Sequence, residues 1–403
     1  MLTDVLDHGR LLGEGPGGSA PERAQAMTLA RGVLRRLGEV DQALAPLVAR
    51  PPKGPGRQVL RLMASEILHQ GTPPHAAVDQ AVRLARGAKA TSRLAGLVNA
   101  VGRKLVQSPP TPPREPERLN TAPWFWKALR RDWGADATLA ITRAHAAGAP
   151  HDLTPRGADM PELEGAARLP TGSVRLSGRP MLSVLPGFEE GAWWVQDAAA
   201  ALPARLVPEP AGKRVLDLCA APGGKSLQLS AAGAHVTALD ISGDRLERLR
   251  ANLERTGLAA EIVAADALDW SPDVPFDAIL LDAPCTATGT VRRHPDLPWR
   301  RGASDVAALV ELQWAMLERA WGWLKPGGTL VYCVCSLLKA EGEAQAERFL
   351  SATGDAARDP VRAGEVGDPA FITPDGDLRT RPDQWAEIGG IDGFFAARFV
   401  RGA

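Results

Sequence analysis

Cysteine is scarce, with four in 403 residues, too few for a disulfide scaffold. No apolar run approaches the roughly 18 residues of a membrane span. The opening stretch MLTDVLDHGRLLGEG mixes charge throughout and offers no secretory apolar segment. These absences point to a soluble, cytoplasmic protein with reduced thiols, no membrane partner and no expected metal. Lysine is nearly missing as well: 8 of the 47 basic residues, the other 39 being arginine. With abundant Ala, Gly and Pro, this resembles the coding bias of a GC-rich genome. An arginine cluster is therefore weaker evidence here than a lysine at a defined motif position. Net charge is zero, but it is unevenly spread. Residues 21–130 hold 18 basic and 7 acidic side chains, a net charge of +11, which leaves −11 on the rest. A basic front is either a footprint for nucleic acid or a solvated helical surface.

Residues 21–107 read as about five helices, with apolar positions at helical spacing in Ala30, Val33, Leu34 and Leu37 and again in Leu60, Leu62, Met63, Ile67 and Leu68. Pro51-Pro52 and Pro73-Pro74 separate them. Arg83, Arg86, Lys89, Arg93, Arg103 and Lys104 make this bundle a candidate RNA-docking module. Residues 108–118, SPPTPPREPER, predict a proline-rich linker. A mixed α/β segment over 119–190 starts with Trp124-Phe125-Trp126, either base-stacking aromatics or a packed helix end. From 191 to 403 short apolar runs alternate with helical stretches. Strands are expected at 215–219, 236–240, 261–264, 278–282 and 329–334, with 394–400 as an edge strand. This alternation predicts a mostly parallel α/β sheet covered on both faces.

The first motif is Asp217-Leu218-Cys219-Ala220-Ala221-Pro222-Gly223-Gly224-Lys225-Ser226. A strand entering a glycine turn and then a helix lets backbone N–H groups approach a polar ligand. The Gly-Lys-Ser ending imitates a P-loop, but the position needing the first glycine is Cys219. The alternative is an adenosine cofactor, because Asp240, Asp266 and Asp282 stand at the ends of consecutive strands. An acid in the place of Asp240 can accept both ribose hydroxyls. Cys285, in Asp282-Ala283-Pro284-Cys285, and Cys335, in Cys333-Val334-Cys335-Ser336, are either packed thiols or chemistry. Strand alternation places Cys333 and Cys335 on one face, with Cys333 as packing.

These motifs resemble the Sun family of RNA cytosine-C5 methyltransferases, in its bacterial small-subunit rRNA branch. The resemblance extends to Pro186-Gly187-Phe188, Val195-Gln196-Asp197-Ala198, Ala287-Thr288-Gly289 through Arg292-Arg293-His294-Pro295-Asp296, and Asp392-Gly393-Phe394-Phe395. The front helices resemble the NusB-type RNA-binding bundle, through Pro73-Pro74-His75-Ala76-Ala77-Val78 and Val98-Asn99-Ala100-Val101. The resemblance implies a NusB-like helical domain at 1–107, the linker at 108–118, a middle subdomain at 119–190 and a Rossmann-like S-adenosylmethionine-dependent methyltransferase domain at 191–403. It implies that Cys335 adds to C6 of a cytosine in 16S rRNA and that Cys285 aids product release. Residues 219–225 (Cys219, Ala220, Ala221, Pro222, Gly223, Gly224 and Lys225), with Asp240, Asp266 and Asp282, would hold S-adenosyl-L-methionine, which leaves as S-adenosyl-L-homocysteine. Asp282 would alternatively touch the cytosine ring, and Lys225 is the expected cation for lowering the Cys335 pKa. Arg292, Arg293, His294, Arg300 and Arg301 are the expected phosphate contacts on rRNA or on a ribosome-assembly intermediate. A monomer is the simpler expectation. The chain departs from the family at Val334, where Thr is usual, at Ala199, where Ser is common, and in the loop over 148–154. Two other classes remain open, a P-loop-like NTPase and a non-catalytic RNA-binding assembly factor.

Overall fold

Helical apolar spacing in the front and strand–helix alternation behind it give two kinds of folded unit. The computed structural model describes residues 1–13, 18–178 and 180–402, so part of the N-terminal stretch inspected for a leader lies outside the described residues. One unit comprises residues 1–147 with 291–303, and the other 148–290 with 304–403. No helix among the described residues is long and apolar enough to cross a membrane.

Within residues 21–107 five α-helices form: Ala20–Arg35, Leu37–Leu44, Pro55–His69, Pro74–Gly87 and Ala95–Gln107. Their starts follow local chemistry. The Glu22 carboxylate accepts the Ser19 N–H at 2.7 Å, satisfying a donor the helix leaves open. Pro55 and Pro74 sit in first turns, where a missing N–H costs nothing. Val40, Leu60, Met63, Val98, Val101 and Leu105 meet in the core. Gly102 permits close helix approach, since a Cβ there would lie 2.7 Å from Val78 and 2.9 Å from Met63 Sδ. The six basic residues from Arg83 to Lys104 named above are all exposed.

The segment 119–190 divides between the units. Its helix Pro123–Ala147, interrupted at Gly134, belongs with the front helices. Phe125 is fully buried and stacks on His145, while the Trp124 indole donates to Pro298 O at 2.9 Å. The aromatic run is thus a packed helix end. Beyond it, β1 (Asp152–Pro155), β2 (Ala167–Arg168), β3 (Val174–Arg175) and β4 (Trp193–Val195) form an antiparallel sheet in the order β2-β3-β1-β4. A buried bidentate pair, Arg175 on Asp152 at 2.7 and 2.8 Å, holds β1 to β3.

The main sheet contains β5 (Arg214–Leu218), β6 (His235–Asp240), β7 (Glu261–Ala264), β8 (Phe276–Asp282), β9 (Leu324–Val334), β10 (Ala356–Arg358), β11 (Leu378–Thr380) and β12 (Phe394–Arg401). The order is β10-β12-β9-β8-β5-β6-β7, with β11 also on β12. Strands β9 through β7 in that order are parallel, whereas β12 is antiparallel to β9. Leu216, Leu218, Ile279, Leu281, Leu330 and Tyr332 pack on one face, and Val215, Ala278, Leu280, Val331 and Cys333 on the other. Burial on both faces explains the unbroken apolar runs. The expectation of an edge strand at 394–400 is corrected: β12 is interior, paired with β9 on one side and with β10 and β11 on the other. Phe394, Phe395 and Phe399 are buried, as an interior strand requires.

Candidate active site

Strand order changes direction at β5, whose neighbours are β8 and β6, and the crevice beyond such strand ends is where open α/β sheets bind ligands. The turn after β5 is shaped by close contacts. Gly223 has φ 109°, and a Cβ there would collide with Leu249. Cys219 (φ 61°) and, in the loop after β8, Ala287 (φ 55°) are left-handed although neither is glycine, a strain that clusters at functional loops. Asp240, buried at the end of β6, ties the turn down. Its Oδ2 accepts the Ala221 N–H at 3.1 Å and its Oδ1 the Ser242 N–H at 2.9 Å. Asp266, past the end of β7, is exposed and accepts the Leu268 N–H.

Lys225 begins the helix Gly224–Ala231 and reaches across to β8. Its Nζ lies 2.7 Å from Asp282 Oδ2 and 5.1 Å from the Phe394 ring centroid. Burial is the largest influence and works to lower its pKa, but Asp282, Cys333 and Asp217 together outweigh it and hold the ammonium above its usual range. The structure thus places the Lys225 ammonium on Asp282. Asp282 Oδ1 accepts from Cys333 Sγ at 3.6 Å. Asp217, two residues before Cys219, is fully buried, and desolvation raises its pKa to about 7 despite the Ser226 hydroxyl at 2.5 Å. Its Oδ1 has no hydrogen-bond partner among the described residues.

All four cysteines are free. Cys219 is in the turn, where burial pushes its thiol well above the usual range. Cys333 is buried in the sheet. Cys285 and Cys335, following neighbouring strands β8 and β9, bring their Sγ atoms to 3.5 Å. The Cys285 thiol is pushed well above its usual range, first by its hydrogen bond to Cys335 and then by burial. Backbone contacts fix the two loops together: Gly289 N–H donates to Cys335 O at 3.0 Å, and Gly393 N–H to Gly289 O at 2.9 Å. A Cβ on Gly289 would strike Gly393 O, so both glycines are required for this approach.

The basic run at 292–301 is located in the helical unit. Arg292 is 1% exposed, which corrects its expected phosphate role: the side chain is packing. Arg300 is engaged by Gly9 O at 3.2 Å and Asp296 at 3.5 Å. His294 is exposed, and Arg293 and Arg301 are partly so. Among the described residues no group of three or more His, Cys, Asp or Glu is arranged to hold a metal.

Sequence reasoning passed over Asp217 as a fully buried acid, Phe394 against Lys225, and Ile241, which is 70% exposed directly after Asp240. An acid inside the apolar run Val-Leu-Asp-Leu was the available signal for Asp217, and an apolar residue just past a strand-end acid was the signal for Ile241.

Comparison with known proteins bears on the family and the fold. The family model described as "16S rRNA methyltransferase RsmB/F" matches residues 204–400, and that of the "NusB family" matches residues 13–107. Ribosomal RNA small subunit methyltransferase B of Klebsiella pneumoniae is 38% identical over 368 residues, covering 84% of each chain. The protein of that name from Shewanella oneidensis is 35% identical over 363 residues, covering 85% of each. Among solved structures, "Crystal Structure of PH0851" superposes with a TM-score of 0.77 at 23% identity, covering 94% of this chain and 90% of that one. A methyltransferase homolog protein from Pyrococcus horikoshii gives 0.57 at 25% identity, covering 69% and 94%. With a NusB-family bundle ahead of a Rossmann-like methyltransferase sheet, this chain belongs to the RsmB/F family of 16S rRNA methyltransferases.

Proposed function

We propose that this chain transfers a methyl group from S-adenosylmethionine to C5 of a cytosine in 16S rRNA, with Cys335 as the attacking thiol. The observation that carries the reading is the thiol pair: two cysteines 3.5 Å apart at the ends of adjacent parallel strands, beside a glycine turn and a row of acids. Cytosine C5 is a poor nucleophile. Addition of the Cys335 sulfur to C6 makes C5 a carbon nucleophile that takes the methyl group, and loss of the C5 proton, with its bonding electrons expelling the sulfur from C6, then restores the ring. Cys285, held in the thiol form within 3.5 Å of the Cys335 sulfur, is placed to assist its release. When bound, S-adenosylmethionine supplies an electrophilic methyl group and leaves as S-adenosylhomocysteine.

The residues present fit this cofactor. The exposed Ile241 offers an apolar surface for a purine, and Asp266 is free of ion pairs among the described residues at the next strand end. Asp240 holds the turn by two backbone N–H groups and keeps lone pairs for ribose hydroxyls. A nucleotide hydrolase would need Lys225 on phosphates, whereas Asp282 and Phe394 engage it. The exposed Arg83, Arg86, Lys89, Arg93, Arg103 and Lys104 give the front bundle a surface for RNA phosphates, with Arg293 and His294 as further contacts.

The test is transfer of labelled methyl to 16S rRNA by the full chain, with Cys335→Ala and Cys285→Ala compared. Loss of transfer in Cys335→Ala, and a covalent RNA adduct accumulating in Cys285→Ala but not in the double variant, are expected. Transfer surviving Cys335→Ala would overturn the nucleophile assignment, and label appearing at a position other than cytosine C5 would overturn the reaction.

A further inference from the structure

The loops carrying the two thiols meet over a buried carboxylate. Glu341 is 0% exposed. Its Oε1 accepts from the Thr286 N–H at 2.8 Å and from Gln313 Nε2 at 3.1 Å. Its Oε2 accepts from Thr286 Oγ1 and Ser336 Oγ, each at 2.5 Å. Thr286 and Ser336 are the residues directly after Cys285 and Cys335. One side chain therefore grips both cysteine loops one residue from each sulfur. The grip is extended on both sides. Gln313 Nε2 also donates to Pro284 O at 2.9 Å, just before Cys285. Thr288 Oγ1 lies 3.1 Å from Ser336 Oγ and accepts the Leu337 N–H at 3.0 Å. Beneath them, the Tyr332 hydroxyl donates to Glu341 O at 2.5 Å and lies 3.3 Å from Gln313 Oε1.

Among the described residues Glu341 forms no ion pair; the nearby Arg379 is paired with Glu343 and donates to Ser336 O. A buried carboxylate without a cation is costly unless fully hydrogen-bonded. Retaining one at this spot is unfavourable for stability compared with an apolar filling, but four donors converging on two oxygens impose a specific geometry on both loops. Its negative charge adds to the hydrogen bond and burial that keep Cys285 in the thiol form.

Resting on the cytosine-C5 reading for its catalytic consequence, we propose that Glu341 is a positioning residue that registers Cys285 against Cys335, so that both sulfurs meet one face of a bound base. It touches neither substrate nor cofactor. Its effect is on the relative placement of two loops from different strands, and misplacement by about 1 Å costs on the order of 10²-fold in rate.

Glu341→Gln, Glu341→Asp and Ser336→Ala separate positioning from bulk stability. The first readout needs no RNA: a reagent that becomes fluorescent only on bridging two thiols, with the bridged peptides mapped by mass spectrometry. Glu341→Gln is expected to lower the rate of Cys285–Cys335 bridging at least about tenfold and kcat for methyl transfer by on the order of 10²-fold, with S-adenosylmethionine affinity and KM for RNA near wild type. Glu341→Asp should recover part of both. Wild-type bridging in a folded Glu341→Gln variant would overturn the proposal, as would a change confined to KM. Should Glu341→Gln melt below the assay temperature, Ser336→Ala is read in its place, with unchanged bridging as the overturning result. If bridging falls as expected but wild-type protein places no methyl on cytosine C5, the positioning stands and the reaction assignment fails.

Discussion

The two halves of one sheet edge are built from different chemistry. Past β5, β6 and β7 stand carboxylates and backbone N–H groups, with Asp240 bridging the glycine turn to its own strand end. Past β8 and β9 stand thiols and hydroxyls, organised by a carboxylate buried below them. The Lys225–Asp282 pair lies between. A half that must hold a polar ligand benefits from donors and acceptors that cannot reorganise. A half that must form and break a bond needs low charge around a sulfur whose protonation can change. On the proposed reaction, the difference would separate binding from bond making within one crevice, and substitutions should respect that boundary.

The strongest test of the boundary is Cys335→Ala, expected to lower methyl transfer by at least about 10³-fold while S-adenosylmethionine affinity measured by calorimetry stays within about twofold. Asp240→Ala should do the reverse. Cofactor affinity should fall by roughly 10- to 100-fold, as loss of hydrogen bonds to a charged group implies, with the rate of Cys335 alkylation unchanged. If either variant disturbs both halves equally, the separation is broken. Lys225→Met probes the junction. It leaves Asp282 without its partner in a part-buried site, so the unfolding midpoint should fall by a few degrees, equivalent to about 1–2 kcal/mol after allowance for solvent. Asp282→Asn in the same background should restore part of that loss.

A further test distinguishes the halves by pH. Asp217 has its pKa raised from 3.8 to about 7 by burial. Its folded form holds a proton that the unfolded chain gives up, so its desolvation cost is absent below pH 3.8, grows as pH rises, and is complete above about 7. Stability should therefore fall with rising pH across that window, and Asp217→Asn should flatten the fall in thermal melts. Cys285, held well above the usual thiol range, should contribute nothing to that slope, and Cys285→Ser should leave it unchanged.

How much of this was legible in the sequence follows from what each feature depends on. The parallel strands were readable because both faces are buried, which leaves continuous apolar runs such as Ala278–Leu281. Strands of two to four residues, such as β2 and β3, are too short to show any alternation. β12 reads as an edge in the sequence because its outer partners, β10 and β11, are only three residues each and leave no alternation. The turn, the strand-end acids and the two cysteines were visible as motif letters. Glu341 was not, since a Glu in the run Lys-Ala-Glu-Gly-Glu looks like any solvated charge until its burial and four donors are seen. Arg292 failed in the opposite sense. A run of arginines reads as surface, yet this one is in a packed interior.

The excursion of residues 291–303 into the helical unit has a practical consequence for cutting the chain. The polypeptide passes between units at 147–148, 290–291 and 303–304. Truncation that removes residues 1–147 would strand a thirteen-residue insert whose Pro298 carbonyl has lost the Trp124 indole and whose Trp299 indole has lost the Leu34 carbonyl. Fragments beginning at residue 148 should be sticky and prone to aggregate. Mixed with the missing 1–147 piece, they should become soluble, reassembling by fragment complementation instead of behaving as two independent modules.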